Sequence, residues 1–208
     1  MTFGGEGLFS DIIKLSTGLS EGLFRPSPVS HSAIIMENQM SIPETGGPQP
    51  GKIVWILEST TLYKNKTTGV EEKGIYPRPA SDRVAEYKGN IWVAFLREEY
   101  RAQVDWVKYM DLCWRQRGKG YNMAGAILAG GWIPFTSRWT DKMFCSQLVV
   151  WLLKESGVKE LKNVVPAAVN PQELAEMELW EPVYYQIKGP KRKDIPRFGT
   201  RAPYLGNF

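Results

Sequence analysis

Lys142-Met143-Phe144-Cys145-Ser146-Gln147-Leu148-Val149-Val150-Trp151 places one cysteine at the beginning of a long apolar run. The run continues through Leu153 and predicts a buried helix over residues 143–155. The first turn of a helix has unpaired N–H groups and a partial positive charge, and both stabilise a thiolate. Cys145 is therefore a candidate nucleophile. The alternative is a buried, unreactive cysteine.

His31 is the single histidine of the chain, so any imidazole base must be this residue. It lies in residues 29–36, whose composition predicts a strand with His31, Ala33 and Ile35 on one face. A nucleophilic thiol needs a base, and a base needs a group that orients it. The alternative is a structural histidine without a chemical role.

Glu58 is the candidate orienting residue, because it ends the β-like run over residues 52–57. A carboxylate that accepts a hydrogen bond from the imidazole Nδ1–H would fix the ring and its tautomer. The alternative is an exposed carboxylate at a strand end. Glu37 is the rival orienting residue, although it lies closer to a turn.

An oxyanion hole requires two donors directed at one point. The backbone N–H of Cys145 is one candidate, and the phenol of Tyr121 is a second, with packing as its alternative role. The other cysteine, Cys113, lies between Leu112 and Trp114 in a predicted helix, so we expect it to be a core residue.

The net charge of +4 is concentrated at the end of the chain. Residues 188–208 contain one acid, Asp194, and six basic residues: Lys188, Lys191, Arg192, Lys193, Arg197 and Arg201. We divide the chain into a domain over residues 1–187 and a basic C-terminal tail over residues 188–208. The tail is either a solvated segment or a weak contact for a polyanion or anionic surface.

The composition predicts neither a cofactor nor a bound metal. One histidine and two cysteines argue against a four-ligand zinc site, and no glycine-rich loop followed by Lys-Ser or Lys-Thr is present. The first residues lack a secretory signal, and no apolar run reaches the roughly 18 residues of a transmembrane helix. We expect a cytoplasmic protein, or one released by another route.

The remaining pattern predicts an α+β domain, with an antiparallel sheet packed against helices that include the Cys145 helix. Helices are expected at residues 8–16, 98–117 and 121–129, and from a cap at Asn170. Further strands are expected at residues 83–87, 91–96 and 180–187, with residues 60–63 either continuing the strand before Glu58 or forming another. Residues 64–79 are polar and turn-prone, which indicates a surface excursion.

A set of short segments resembles the circularly permuted papain-like cysteine hydrolases of the NlpC peptidase superfamily. These are YiiX-type proteins, related to lecithin retinol acyltransferases. The similar segments are residues 7–14 (GLFSDIIK), residues 27–35 (SPVSHSAII), Glu58, residues 144–149 (FCSQLV) and residues 170–174 (NPQEL). The histidine precedes the cysteine, which is the permuted order. The family's opening strand is reduced here to residues 1–7, and long segments at 41–51 and 64–79 depart from its pattern.

The resemblance implies a permuted papain-like fold with Cys145 as nucleophile, His31 as base and Glu58 as orienting residue. It also likens Tyr121 to a tyrosine that lines the site in many members. The expected function is a cysteine hydrolase of the amidase or peptidase type, acting on a peptide, amide or acyl-ester substrate, such as a cell-wall peptide or isopeptide bond. The alternatives are an acyltransferase, thioesterase or lipase with the same site, and a non-enzymatic binding or structural module that retains the fold.

Overall fold

The computed structural model describes residues 2–5, 29–36, 53–64, 69, 71–130, 141–189 and 199–201. The strands in these ranges are β1 (Thr2–Gly5), β2 (His31–Ile35), β3 (Trp55–Lys64), β4 (Glu71–Pro79), β5 (Gly89–Val93), β6 (Val183–Lys188) and β7 (Gly199–Arg201). The α-helices are α1 (Ala80–Glu86), α2 (Glu98–Arg101), α3 (Trp106–Gln116), α4 (Met123–Gly130), α5 (Cys145–Glu155) and α6 (Pro171–Glu176). Short 3₁₀ turns occupy Lys159–Leu161 and Pro166–Ala168.

The strands form one sheet in the order β4-β3-β2-β1-β5-β6-β7. Neighbouring strands are antiparallel except β6 and β7, which are parallel. The predicted α+β class is confirmed. Strand β1 lies between β2 and β5, so residues near the start of the chain contribute a central strand.

The two faces of the sheet bury different partners. On one face, Ile34 and Leu57 pack against Leu148 and Val149 of α5 in the largest core cluster. On the other face, Ala33 and Ile56 pack against Ala80 and Val84 of α1. This arrangement follows from strand alternation, because Ala33 and Ile34 are consecutive residues and point to opposite faces.

Two predicted elements near the middle of the chain are wrong. Residues 71–79 are not a surface excursion, since they form β4, which pairs along β3. Strand β4 is at the edge of the sheet, where its prolines can be tolerated because an edge strand leaves N–H positions unpaired. Residues 83–87 are not a strand, since α1 covers Ala80–Glu86. Its Ala80 and Val84 are one helical turn apart and bury the same side against the sheet.

Glu58 is the fourth residue of β3 rather than the end of a strand, because β3 continues to Lys64. The continuation through residues 60–63 was one of the two predicted alternatives, and it is confirmed. Residues 98–117 form two helices instead of one, since α2 ends at Arg101 and α3 begins after Asp105. The Asp105 side chain caps α3 by accepting from the Lys108 N–H at 3.0 Å.

The predictions for α5 and α6 are confirmed. Helix α6 starts with a complete capping box, in which Asn170 and Glu173 each bond the other's backbone N–H. The predicted helix at residues 8–16 lies outside the described residues. Within the predicted tail, the backbone of β7 pairs with β6. Among the residues that the structure describes, no helix is long and apolar enough to cross a membrane.

Candidate active site

Cys145 and His31 each begin an element: Cys145 is the first residue of α5, and His31 is the first residue of β2. The residue before the helix, Phe144, has no side-chain cap, so the first N–H groups of α5 are not satisfied by a capping side chain. The Cys145 side chain is buried, and α5 packs against β2. A thiol is therefore held at the positive end of an eleven-residue helix, beside the histidine strand.

The segment before Cys145 is fixed by its backbone. Met143 donates its N–H to the Gly120 carbonyl at 3.2 Å, and its own carbonyl accepts from the Asn122 N–H at 3.4 Å. The Ser59 hydroxyl donates to the same carbonyl at 2.5 Å. These bonds tie the start of α5 to β3 and to the residues around Tyr121, which sets the position of the thiol.

The side chains of His31 and Glu58 form a hydrogen bond, with His31 Nε2 2.9 Å from Glu58 Oε2. The predicted pairing is thus present, but the predicted nitrogen was wrong, since Glu58 accepts from Nε2 and not from Nδ1. The imidazole has two ring nitrogens, so Nδ1 is the one that Glu58 does not occupy, and His31 also interacts with Cys145. The register explains the contact, because Ala33 is paired with Glu58 and His31 lies two residues from Ala33 on the same face.

The thiol and the imidazole favour the charged pair. Burial acts to raise the pKa of Cys145, but attraction to His31 and a hydrogen bond with it outweigh burial and lower that pKa. Burial acts to lower the pKa of His31, yet the Cys145 charge, its hydrogen bond and Glu58 raise it to about 9. Both shifts favour the thiolate–imidazolium form of the pair over the neutral form.

Glu58 is completely buried and remains ionised. Burial acts to raise its pKa, whereas the hydrogen bond from His31 and the charges of Arg83, His31 and Arg78 lower it to about 2. Arg78 Nη1 donates to Oε1 at 3.0 Å, and Arg83 Nε donates to Oε2 at 3.1 Å. Sequence reasoning missed both arginines, because Arg78 lies in the predicted excursion over residues 64–79 and Arg83 in the predicted strand over residues 83–87.

Ser32 is a further residue whose role the sequence did not indicate. Its backbone N–H and its hydroxyl help to lower the pKa of Cys145. The hydroxyl is buried and has no hydrogen-bond partner among the described residues, and Cys145 is the neighbouring group whose pKa it lowers. The only sequence signal was its position next to His31.

Two tyrosines lie close enough to Cys145 to respond to its charge. Burial raises the pKa of Tyr121 well above its usual value, and the Cys145 charge raises it further. The Tyr121 ring packs against Phe144 and Ala126. Tyr87, at the end of α1, was not predicted as a site residue; burial is the main reason that its pKa is raised to about 12. The rival orienting residue Glu37 lies outside the described residues.

Cys113 is the internal contrast to Cys145. It is fully buried in the core cluster, and burial raises its pKa to about 12 despite a hydrogen bond with Tyr109. The difference between the two thiols comes from their partners, since only Cys145 has a histidine beside it. Over the described ranges, no group of three or more His, Cys, Asp or Glu side chains could hold a metal ion.

Comparisons of the chain with protein-family models, with curated proteins and with solved structures found no match.

Proposed function

We propose that this protein is a cysteine hydrolase that acts by acyl transfer through Cys145. The observation that carries the proposal is the His31–Glu58 hydrogen bond together with the interaction of His31 with Cys145, which begins a buried helix. A nucleophile, a base and a group that orients the base are what a thiol-dependent acyl transfer requires. We also assign the chain to the permuted papain-like arrangement, since the histidine strand precedes the cysteine helix and the sheet packs against that helix.

The thiolate of Cys145 attacks the carbonyl carbon of the substrate and forms a tetrahedral oxyanion. His31 then donates its Nδ1 proton to the leaving amine, alcohol or thiol as the carbon–heteroatom bond breaks, which leaves a thioester on Cys145. A water molecule transfers a proton to His31 while it attacks this thioester. The acid is released, and the thiolate and imidazolium are restored.

Oxyanion stabilisation is assigned to the helix start. The backbone N–H of Cys145 is at the first position of α5, where the N–H groups point out of the helix. The Tyr121 phenol is the proposed second donor, and its closeness to Cys145 supports this role. Glu58 holds the ring plane of His31 and stabilises the imidazolium through Nε2.

The test uses an activated ester, p-nitrophenyl acetate, because its acetyl group reports the nucleophile directly. We expect a burst of nitrophenolate of up to one equivalent and an acetyl group on the peptide that contains Cys145. Cys145→Ala should remove both signals, while the matched variant Cys113→Ala should retain them. Acetylation at other sites with an unchanged burst in Cys145→Ala would overturn the proposal.

The same experiment separates hydrolysis from transfer to another acceptor. With water alone, the acetyl-enzyme decays to acetate, whereas added hydroxylamine should divert the acyl group to a hydroxamate. The ratio of the two products measures how well the site admits water. Esters, thioesters and peptide amides can then be ranked by their rates of acylation of Cys145.

A further inference from the structure

Glu58 receives three hydrogen bonds from charged or chargeable donors on three different elements. His31 of β2 lies 2.9 Å from Oε2, Arg83 of α1 donates to Oε2 at 3.1 Å, and Arg78 of β4 donates to Oε1 at 3.0 Å. The carboxylate is 0% exposed, and the side chains of Arg78 and Arg83 are 3% and 13% exposed. Water contributes little to the stabilisation of this charge, so the three donors provide most of that stabilisation.

Each arginine has a second contact that fixes its direction. Arg78 Nη2 also donates to Glu86 of α1 at 2.5 Å, so its guanidinium bridges two carboxylates. Arg83 lies over the Tyr87 ring, with its guanidinium carbon 4.7 Å from the ring centroid. Both guanidinium groups are therefore held in place from two sides.

We propose that Arg78 and Arg83 are positioning residues that keep Glu58 ionised, and that they thereby extend the reactive form of the Cys145–His31 pair to acidic pH. This inference rests on the proposed function and identifies what sets its pH range. The arginines do not reach the thiol and act through Glu58 and His31.

The reason is the chemistry of a buried carboxyl group. Without a compensating positive charge, burial favours the protonated form of Glu58. A protonated Glu58 can no longer stabilise the imidazolium of His31 by charge. The imidazolium would lose its proton more easily, and the thiolate of Cys145 would lose the positive charge that stabilises it.

Several titratable or charged groups surround Glu58 and influence its charge. His31 faces it from β2, Arg78 from β4 and Arg83 from α1, while Tyr76 is its register partner on β4. Two further groups are within electrostatic reach: Tyr87, whose pKa responds to Glu58, and Cys145, which acts through His31. Glu86 binds Arg78 and is 39% exposed, so its charge is partly screened.

Stability alone does not explain this cluster. Buried ion pairs can often be replaced by well-packed apolar side chains without loss of stability, because desolvation of the charges offsets their attraction. A structural role predicts that loss of an arginine lowers the melting temperature and nothing else. The positioning role predicts a change in the pH profile of Cys145.

The experiment measures the rate of iodoacetamide alkylation of Cys145 from pH 3 to pH 9 by peptide mass spectrometry, in the full chain. The acid limb is the part of this rate–pH profile where the rate falls at low pH. Its midpoint should move upward by at least about one pH unit in Arg78→Met and in Arg83→Met, since an opposite charge in contact shifts a pKa by about one to three units. Arg78→Lys keeps the charge, so its midpoint should stay close to that of the parent. Because Arg78→Met can fail to fold, Arg83→Met provides the second measurement at a less buried position.

Two controls make the result specific. Arg115→Met removes an exposed arginine that pairs with Asp111 on α3, and it should leave the midpoint unchanged. Glu86→Gln removes a negative charge beside Arg78 and should move the midpoint downward. An unshifted midpoint in folded Arg83→Met and Arg78→Met would overturn the positioning role. If Cys145 of the parent protein loses its reactivity only in the ordinary pH range of a thiol, the proposed function fails as well. That result is seen in the parent alone, so it is distinguishable from a failure of the positioning role.

Discussion

His31 Nε2 lies 2.9 Å from Glu58 Oε2, and this contact joins the start of β2 to the middle of β3. It depends on the antiparallel register that pairs Ala33 with Glu58. Nδ1 is the ring nitrogen that Glu58 leaves available. In the proposed mechanism, this cross-strand hydrogen bond would therefore determine both the orientation of the base and the nitrogen that serves the thiol.

Removal of the thiolate should lower the pKa of His31. Of the interactions that raise this pKa to about 9, the Cys145 charge is the largest, so we expect a decrease of at least about one unit in Cys145→Ala. His31 is the only histidine, which makes its ring signals in an NMR titration unambiguous. Cys113→Ala is the matched control. Equal His31 pKa values in the parent and in Cys145→Ala would show that the two side chains do not interact.

Loss of the base should slow alkylation of Cys145. In His31→Ala, the charge and hydrogen bond that lower the thiol pKa are absent, so we expect the rate at pH 7 to fall by about tenfold or more. Peptide mass spectrometry after a brief iodoacetamide treatment reports Cys145 and Cys113 separately. Cys113 should react only after denaturation in both proteins. An unchanged melting temperature with an unchanged rate would remove His31 from the mechanism.

Glu58 should contribute to acid stability. Its pKa is about 2 in the folded protein, below the ordinary value of 4.5, so the unfolded chain binds more protons between these pH values. Its contribution to the free energy of unfolding is present above pH 4.5 and is lost as the pH falls toward 2. This contribution amounts to roughly 3 kcal/mol. Urea unfolding from pH 2 to pH 6 should show a shallower decline for Glu58→Gln than for the parent. Parallel curves would contradict the depressed pKa.

Gly74 should be intolerant of a side chain. Its φ is +137°, and a Cβ atom there would lie 2.2 Å from the Lys119 carbonyl oxygen. We expect Gly74→Ala to destabilise the protein by at least about 1 kcal/mol, measured by urea unfolding. Gly118→Ala is the matched control, because Gly118 also has a positive φ but a Cβ atom added there would have no atom within 4 Å. A larger loss of stability in Gly74→Ala than in Gly118→Ala would come from the clash with Lys119. Equal losses in the two variants would rule that clash out.

The basic tail gives a prediction that stands on the sequence. If it contacts polyanions, replacing Lys191, Arg192 and Lys193 with glutamine should reduce salt-sensitive retention on heparin. This charge replacement is preferable to truncation at Gly189, because truncation would also remove β7 from the sheet. Replacing the exposed Lys108, Lys159 and Lys162 with glutamine removes the same charge outside the tail and controls for net charge. Retention that is insensitive to the tail substitutions would place the contact elsewhere.

Local patterns predicted the elements that carry the proposed site. The apolar run after Cys145 predicted α5, because a buried helix needs a continuous apolar surface. The β-rich residues around His31 predicted β2, and the Asn170–Glu173 spacing predicted the capping box of α6. In each case the forces that form the element act between residues close in sequence, so the sequence is enough to locate it.

The partners of Glu58 depended on contacts between distant residues. Arg78 and Arg83 reach it because β4 pairs with β3 and α1 crosses the same face of the sheet. Their local sequence indicated an excursion and a strand. In the fold, the partly buried Ala80 and Val84 of α1 pack against the sheet, a contact that local propensity does not report. The sequence by itself predicted Cys145, His31 and Glu58 as the residues that the proposed mechanism needs. The tertiary structure determined that Nε2 faces Glu58 and that two buried arginines hold its charge.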